Sequence, residues 1–106
     1  GYSFAKKSAR IPVPHREADI AAMIESDRYG MKSYCITLEG DKTINGPIVL
    51  HKGKELIIVT EGSLEVAINE ENIIVAEGDS LLLTDIFISR WRCGSAGKCV
   101  FYYILA

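Results

Sequence analysis

From His51 to Asp79 the chain runs HKGKELIIVTEGSLEVAINEENIIVAEGD. Glu61-Gly62 separates two apolar runs, Asn69-Glu70-Glu71-Asn72 makes a polar tip, and Glu77-Gly78-Asp79 breaks the chain again before SLLLT. None of these runs is long enough for an amphipathic helix, and glycine supplies the positive φ that a tight hairpin needs. The stretch is therefore a succession of short strands. The same punctuation extends in both directions. MKSYCITLE alternates with period two and ends at the turn-like Glu39-Gly40-Asp41. Beyond the breaker Asn45-Gly46-Pro47 come IVLHK, ELIIVTEG, SLEVAINE, ENIIVAEGD, SLLLTD, FISRWRC and KCVFYYILA. Short strands at this even spacing predict an all-β sandwich or barrel and argue against βαβ units.

Residues 1–30 have a different character. In GYSFAKKSARIPVP, Pro12 and Pro14 favour extended backbone and exclude a central strand, so the segment is expected to be an arm or an edge strand. Between Arg16 and Ser26, Ile20, Met23 and Ile24 fall at i, i+3, i+4, with Pro14 upstream and Gly30 downstream as limits, which predicts one short helix. The expected organisation is an arm or linker with that helix over 1–30 and one β domain over 31–106. The chain starts Gly-Tyr-Ser without an initiator methionine, which suggests a piece of a longer protein.

A length of 106 residues suits one domain with one core. With a formal net charge of −2 and its Lys and Arg spread along the chain, the domain has no footprint for direct nucleic-acid binding. No apolar run approaches the roughly 18 residues of a membrane span. Cys35, Cys93 and Cys99 are odd in number and lack CxxC spacing, which fits a reduced, cytoplasmic setting. Cys93 and Cys99 flank Gly94-Ser95-Ala96-Gly97 and could face each other; two small buried thiols suit that setting better than a disulfide.

Strict alternation in FISRWRC puts Phe87, Ser89, Trp91 and Cys93 on one face, opposite Ile88, Arg90 and Arg92. In the last strand Cys99, Phe101, Tyr103 and Leu105 oppose Val100, Tyr102 and Ile104. Both of its faces are apolar, so one is expected to pack against a second sheet or a partner chain.

The run H-K-G-K-E-L-I-I-V-T-E-G-S-L-E-V, followed by A-E-G-D-S-L-L-L, resembles the cupin superfamily. It looks most like the C-terminal cupin domain of helix-turn-helix transcriptional regulators. The resemblance implies a cupin-type double-stranded β-helix, or jelly-roll barrel, and a homodimer attached to a DNA-binding domain. Glu55 and Gly62 match the first cupin motif, His51 takes the place of its second histidine, and Gly78-Asp79 matches the start of the second motif. Val49 stands where the first histidine belongs, Ser89 where the histidine of the second motif belongs, and Thr84 and Ile86 replace that motif's proline and glycine.

Cupin metal sites use two or three histidines and a glutamate, a donor set suited to first-row divalent metals. Here only His51 and Glu55 remain, so no cofactor is expected, with a divalent metal on these two residues as the second reading. In the cupin register His51 and Glu55 face the barrel interior, where an unpaired carboxylate is costly, and Glu55 is expected to be satisfied by His51, an Arg or water. Ser89 in the histidine position turns Trp91 toward the pocket as well, where the indole either stacks on a ligand or fills the core. The expected ligand contacts are His51, Glu55, Ser89, Trp91, Tyr34 and Tyr103, and no residue is assigned a catalytic role. Two functions compete: a small-molecule-sensing, dimerising regulator domain, and a stand-alone metal-dependent enzyme of dioxygenase or isomerase type acting on a small polar metabolite. A barrel with a filled interior, serving only dimerisation, is the third.

Overall fold

Glycine and Asx punctuation translates into ten strands in a computed structural model that describes residues 1–106. After a single 3-10 turn at Lys7–Ala9 come β1 (Ile11–Val13), β2 (Ala18–Ser26), β3 (Met31–Glu39), β4 (Thr43–Asn45) and β5 (Lys54–Glu61). They are followed by β6 (Ser63–Ile68), β7 (Glu71–Ala76), β8 (Ser80–Thr84), β9 (Ile88–Cys93) and β10 (Lys98–Leu105). All pairings are antiparallel, in a six-stranded sheet ordered β1-β2-β3-β10-β5-β8 and a four-stranded sheet ordered β4-β9-β6-β7. The two inner faces enclose the core, as in a jelly-roll barrel. No helix is long and apolar enough to cross a membrane.

Period two decides which side chains enter that core. On β10, Cys99, Phe101, Tyr103 and Leu105 are fully buried, and their neighbours on the flanking strands, Ile36 and Leu38 of β3 and Ile57 and Val59 of β5, are buried with them. The four-stranded sheet contributes Leu64, Val66 and Trp91. Trp91 stacks on Phe101 with ring centroids 5.9 Å apart and meets Tyr103 edge-on at 5.5 Å. The outward residues of β10, Val100, Tyr102 and Ile104, stay half-buried in the middle of the six-stranded sheet, beside Leu56 and Ile58 of β5. On the outside of the other sheet Arg92 pairs with Glu65 and Arg90 donates to Asn72, so both arginines are surface groups.

Three expectations need correction. The helix between Arg16 and Ser26 is instead β2, so the six-stranded sheet extends into the segment assigned to the arm. The helical spacing of Ile20, Met23 and Ile24 is produced by a bulge: Ala22 opposes Tyr34 but Glu25 opposes Lys32, so β2 carries one extra residue. Ser33 holds the bulge from the partner strand, its hydroxyl accepting from the Ile24 amide at 3.0 Å and lying 3.3 Å from the Ile24 carbonyl. Second, IVLHK is not a strand. Ile48 and Val49 pack against the core from a loop, while Leu50 is exposed. Third, the breaker Asn45-Gly46-Pro47 begins inside a strand, since β4 ends at Asn45 and pairs with β9.

Candidate functional site

The barrel mouth is built where the loop before β5 meets the end of β10. Lys54 and Ala106 exchange both backbone hydrogen bonds at 2.9 Å, extending the β5–β10 ladder to the rim. His51 precedes β5 and lies half-buried, its Nε2 3.1 Å from the Ala106 carbonyl oxygen. Gly53 makes this approach possible. Its φ is +121°, and a Cβ there would sit 2.6 Å from the Ala106 oxygen and 3.2 Å from His51 Nε2. Glycine in H-x-G-x-E is thus required by backbone and contact together. Gly53→Ala is expected to destabilise the domain by about 1–3 kcal/mol, measurable as a lowered denaturation midpoint.

Glu55 is on the inner face of β5, opposite Leu105 of β10 and Leu83 of β8. Its carboxylate accepts the Tyr103 hydroxyl, so the partner that satisfies it is a phenol and not His51 or an arginine. Burial pushes the Tyr103 hydroxyl far above its ordinary value, and the hydrogen bond to Glu55 and its negative charge add to the rise. Tyr34 lies behind Tyr103, with ring centroids 6.4 Å apart, and burial followed by the charge of Glu25 raises its hydroxyl too. Beside this chain of contacts is a cleft of about 200 Å³ lined by His51, Lys52, Gly53, Glu55 and the β8–β9 loop residues Asp85, Ile86 and Phe87.

The expected ligand contacts therefore divide. His51 and Glu55 border one cleft, Tyr103 donates to Glu55, and Tyr34 lies beside Tyr103 on the neighbouring strand without joining the cleft lining. Trp91 is 1% exposed, and its Nε1 donates to the Gly46 carbonyl at 2.9 Å, so the indole fills the core. Ser89 faces out, contrary to the alternation read from FISRWRC. Ala67 opposes Arg90 while Ile68 opposes Ile88, which leaves Ser89 as the extra residue of a bulge. Ile88 takes the inward place, and the Ser89 hydroxyl donates to the Ala67 carbonyl at 3.2 Å on the outer surface. Phe87 is also exposed, and it joins the lining of the cleft from the β8–β9 loop. None of Asp85, Ile86 and Phe87 is among the contacts expected from sequence: there Ile86 figures only as the replacement of the second motif's glycine, Phe87 only as a member of the face shared with Ser89, and Asp85 only as a turn residue.

A cupin metal would need at least one more donor beside His51 and Glu55. No three His, Cys, Asp or Glu side chains converge anywhere in the chain in a way that could hold a metal ion. Val49 packs against the core, Ser89 is on the far side of its strand, His51 Nε2 is engaged by a carbonyl and Glu55 by a phenol. The residues present do not fit a cupin metal centre.

No protein-family model matches the chain, and no curated protein sequence matches it. Solved structures do. Hydroxypropylphosphonic acid epoxidase from S. wedmorenis superposes with a TM-score of 0.82 at 14% identity, over 100% of this chain and 60% of the epoxidase chain. An HTH_3-family transcriptional regulator from Vibrio cholerae gives 0.70 at 22% identity, over 85% of this chain and 51% of the regulator. The Cupin_2 domain of an XRE-family transcriptional regulator from Enterobacter cloacae gives 0.74 at 14% identity, over 85% of this chain and 96% of that domain. The chain spans only about 60% of the epoxidase. At these identities the likeness establishes the fold, an all-β cupin barrel, on which both regulators and an enzyme are built.

Proposed function

We propose that this cupin barrel senses a small molecule at its mouth and, as a cytoplasmic homodimer, passes the bound state to an attached DNA-binding domain. The observation that carries this reading is the contrast between a packed interior and an open mouth. Trp91, Phe101 and Tyr103 fill the space between the sheets, yet a cleft remains beside His51 and Glu55, whose donors are too few for a metal. A pocket with polar groups and no metal ligand set suits recognition better than turnover. His51 and Glu55 contact the effector, with Tyr103 and Tyr34 holding Glu55 and the floor of the cleft in place. The likeness to two regulators supports the attached domain. The half-buried outer row Val100, Tyr102 and Ile104 supports a self-association face. Differential affinity for two dimer arrangements would transmit about 1–3 kcal/mol between sites. The domain itself contacts neither nucleic acid nor membrane.

The test is a metabolite screen by thermal shift, followed by the His51→Ala/Glu55→Ala variant. Ligands that raise the melting temperature of the unaltered chain are expected to have no effect on the variant. Stabilisation that survives both substitutions would place the binding site elsewhere. The competing reading, a metal-dependent enzyme, draws on the superposition of the whole of this chain on 60% of the epoxidase chain. About one tightly held Fe, Mn, Ni or Zn per chain in protein purified without a nickel column would favour it.

A further inference from the structure

We infer that the barrel-mouth cleft is built for a small organic cation, a primary amine or guanidine carrying a short apolar group. The inference rests on the sensing role proposed above and names the chemistry of its ligand.

Hydrogen-bond polarity is the first argument. The Ala106 oxygen can only accept, so Nε2 carries the proton of that contact, and in the tautomer protonated on Nε2 alone Nδ1 is an acceptor. The Tyr103 hydroxyl spends its proton on one Glu55 oxygen, so the second oxygen remains an acceptor. Asp85, which follows β8 beside the start of β5, is the second acidic residue of the lining. The ion pairs of this chain are His15–Glu17, Arg92–Glu65 and Lys98–Glu61, all away from the mouth, so neither Glu55 nor Asp85 has a cationic partner within 4.0 Å. The imidazole and both carboxylates thus offer acceptors, and an ammonium or guanidinium group supplies only donors.

Shape and apolar lining give the second argument. The cleft volume of about 200 Å³ falls below the roughly 300–1,000 Å³ of sites for drug-sized ligands, which selects a metabolite of few heavy atoms. Ile86 and Phe87 are the two apolar residues of the lining and are 40% and 62% exposed, so apolar surface, part of it aromatic, is accessible at the cleft. An aromatic face attracts a cation as well as a methylene chain. Lys52 is the one basic side chain on the lining besides His51; it is exposed and joins no ion pair, so its ammonium stays in solvent at the rim. A carboxylate ligand, by contrast, would bring a third negative charge against Glu55 and Asp85.

The experiment is a two-dimensional amide NMR titration of the intact chain with n-butylamine, benzylamine and methylguanidine, against butyrate and phenylacetate of matched size. The amines are expected to produce saturable shifts confined to residues 51–55 and 85–87, weakening as salt is raised. Glu55→Gln keeps the shape and removes the charge, and it should weaken amine binding about tenfold or more. Asp85→Asn, whose parent carboxylate has no ion-pair partner to lose, gives the same readout without disturbing Tyr103. Saturable binding of the carboxylates at the same residues would overturn the cation assignment and leave the sensing role standing. Absence of shifts at the mouth with every probe would overturn the assignment and count against the sensing role. Amine binding unchanged in both variants would also overturn it.

Discussion

Trp91→Ala is expected to cost about 3–5 kcal/mol of unfolding free energy, the range for removing a large aromatic from a packed core. The indole is 1% exposed and lies 5.9 Å from the Phe101 ring and 5.5 Å from Tyr103, so its loss opens a cavity bordered by both sheets. It also leaves the Gly46 carbonyl without the Nε1 donor that ties the end of β4 to β9. Trp91→Phe keeps most of the volume and loses that hydrogen bond, and the expected cost is about 1–3 kcal/mol. Urea denaturation of the three proteins measures both differences. A loss under about 1 kcal/mol for Trp91→Ala would contradict the packing role and return the indole to the list of ligand contacts.

The second large effect is alkaline. Tyr103 and Cys99 are both fully buried, and burial is the first cause that raises each above its ordinary value of 10.0 or 9.0. Glu55 adds to the rise at Tyr103, and the neighbouring Cys93 thiol adds to it at Cys99. Both groups bind their proton more tightly in the folded state than in the unfolded one. Their contribution is complete below the unfolded values and is lost as pH climbs above about 9–10 toward the folded values, because only the unfolded chain releases the protons. Each group removes up to about 1.4 kcal/mol per pH unit in that window. Urea midpoints between pH 8 and 11.5 should therefore fall steeply, and Tyr103→Phe should flatten the decline. A midpoint constant across this range would show that neither group is held protonated by the fold.

The strands from β5 to β9 were legible because each is a short run closed by Gly, Asn or Asp; their spacing pointed to a sandwich or a barrel, and the resemblance to cupins chose the barrel. Segments where apolar residues serve another purpose were not. Ile48 and Val49 are as hydrophobic as any strand residue, yet they cover the barrel from a loop, and sequence alone does not separate a lid from a ladder. Ile20, Met23 and Ile24 mimic a helix because a bulge inserts one step into a period-two pattern. At the barrel mouth, the phrase H-x-G-x-E picks out His51, Gly53 and Glu55, which line one cleft because the local backbone brings them together. The partners of His51 and Glu55, the Ala106 carbonyl and Tyr103, come from the far end of the chain, and only the β5–β10 register reveals them.

The single-residue slip at Ser89 reaches beyond the orientation of one serine. Any ungapped comparison that carries the second cupin motif through this strand scores Ser89 against an inward column, when Ile88 is the residue that stands there. A side chain at position 89 therefore projects outward beside the Ala67 carbonyl, away from Glu55. A donor aimed between the sheets at this point of the strand has to come from position 88, so Ile88→His and Ser89→His would place an imidazole on opposite sides of the barrel wall.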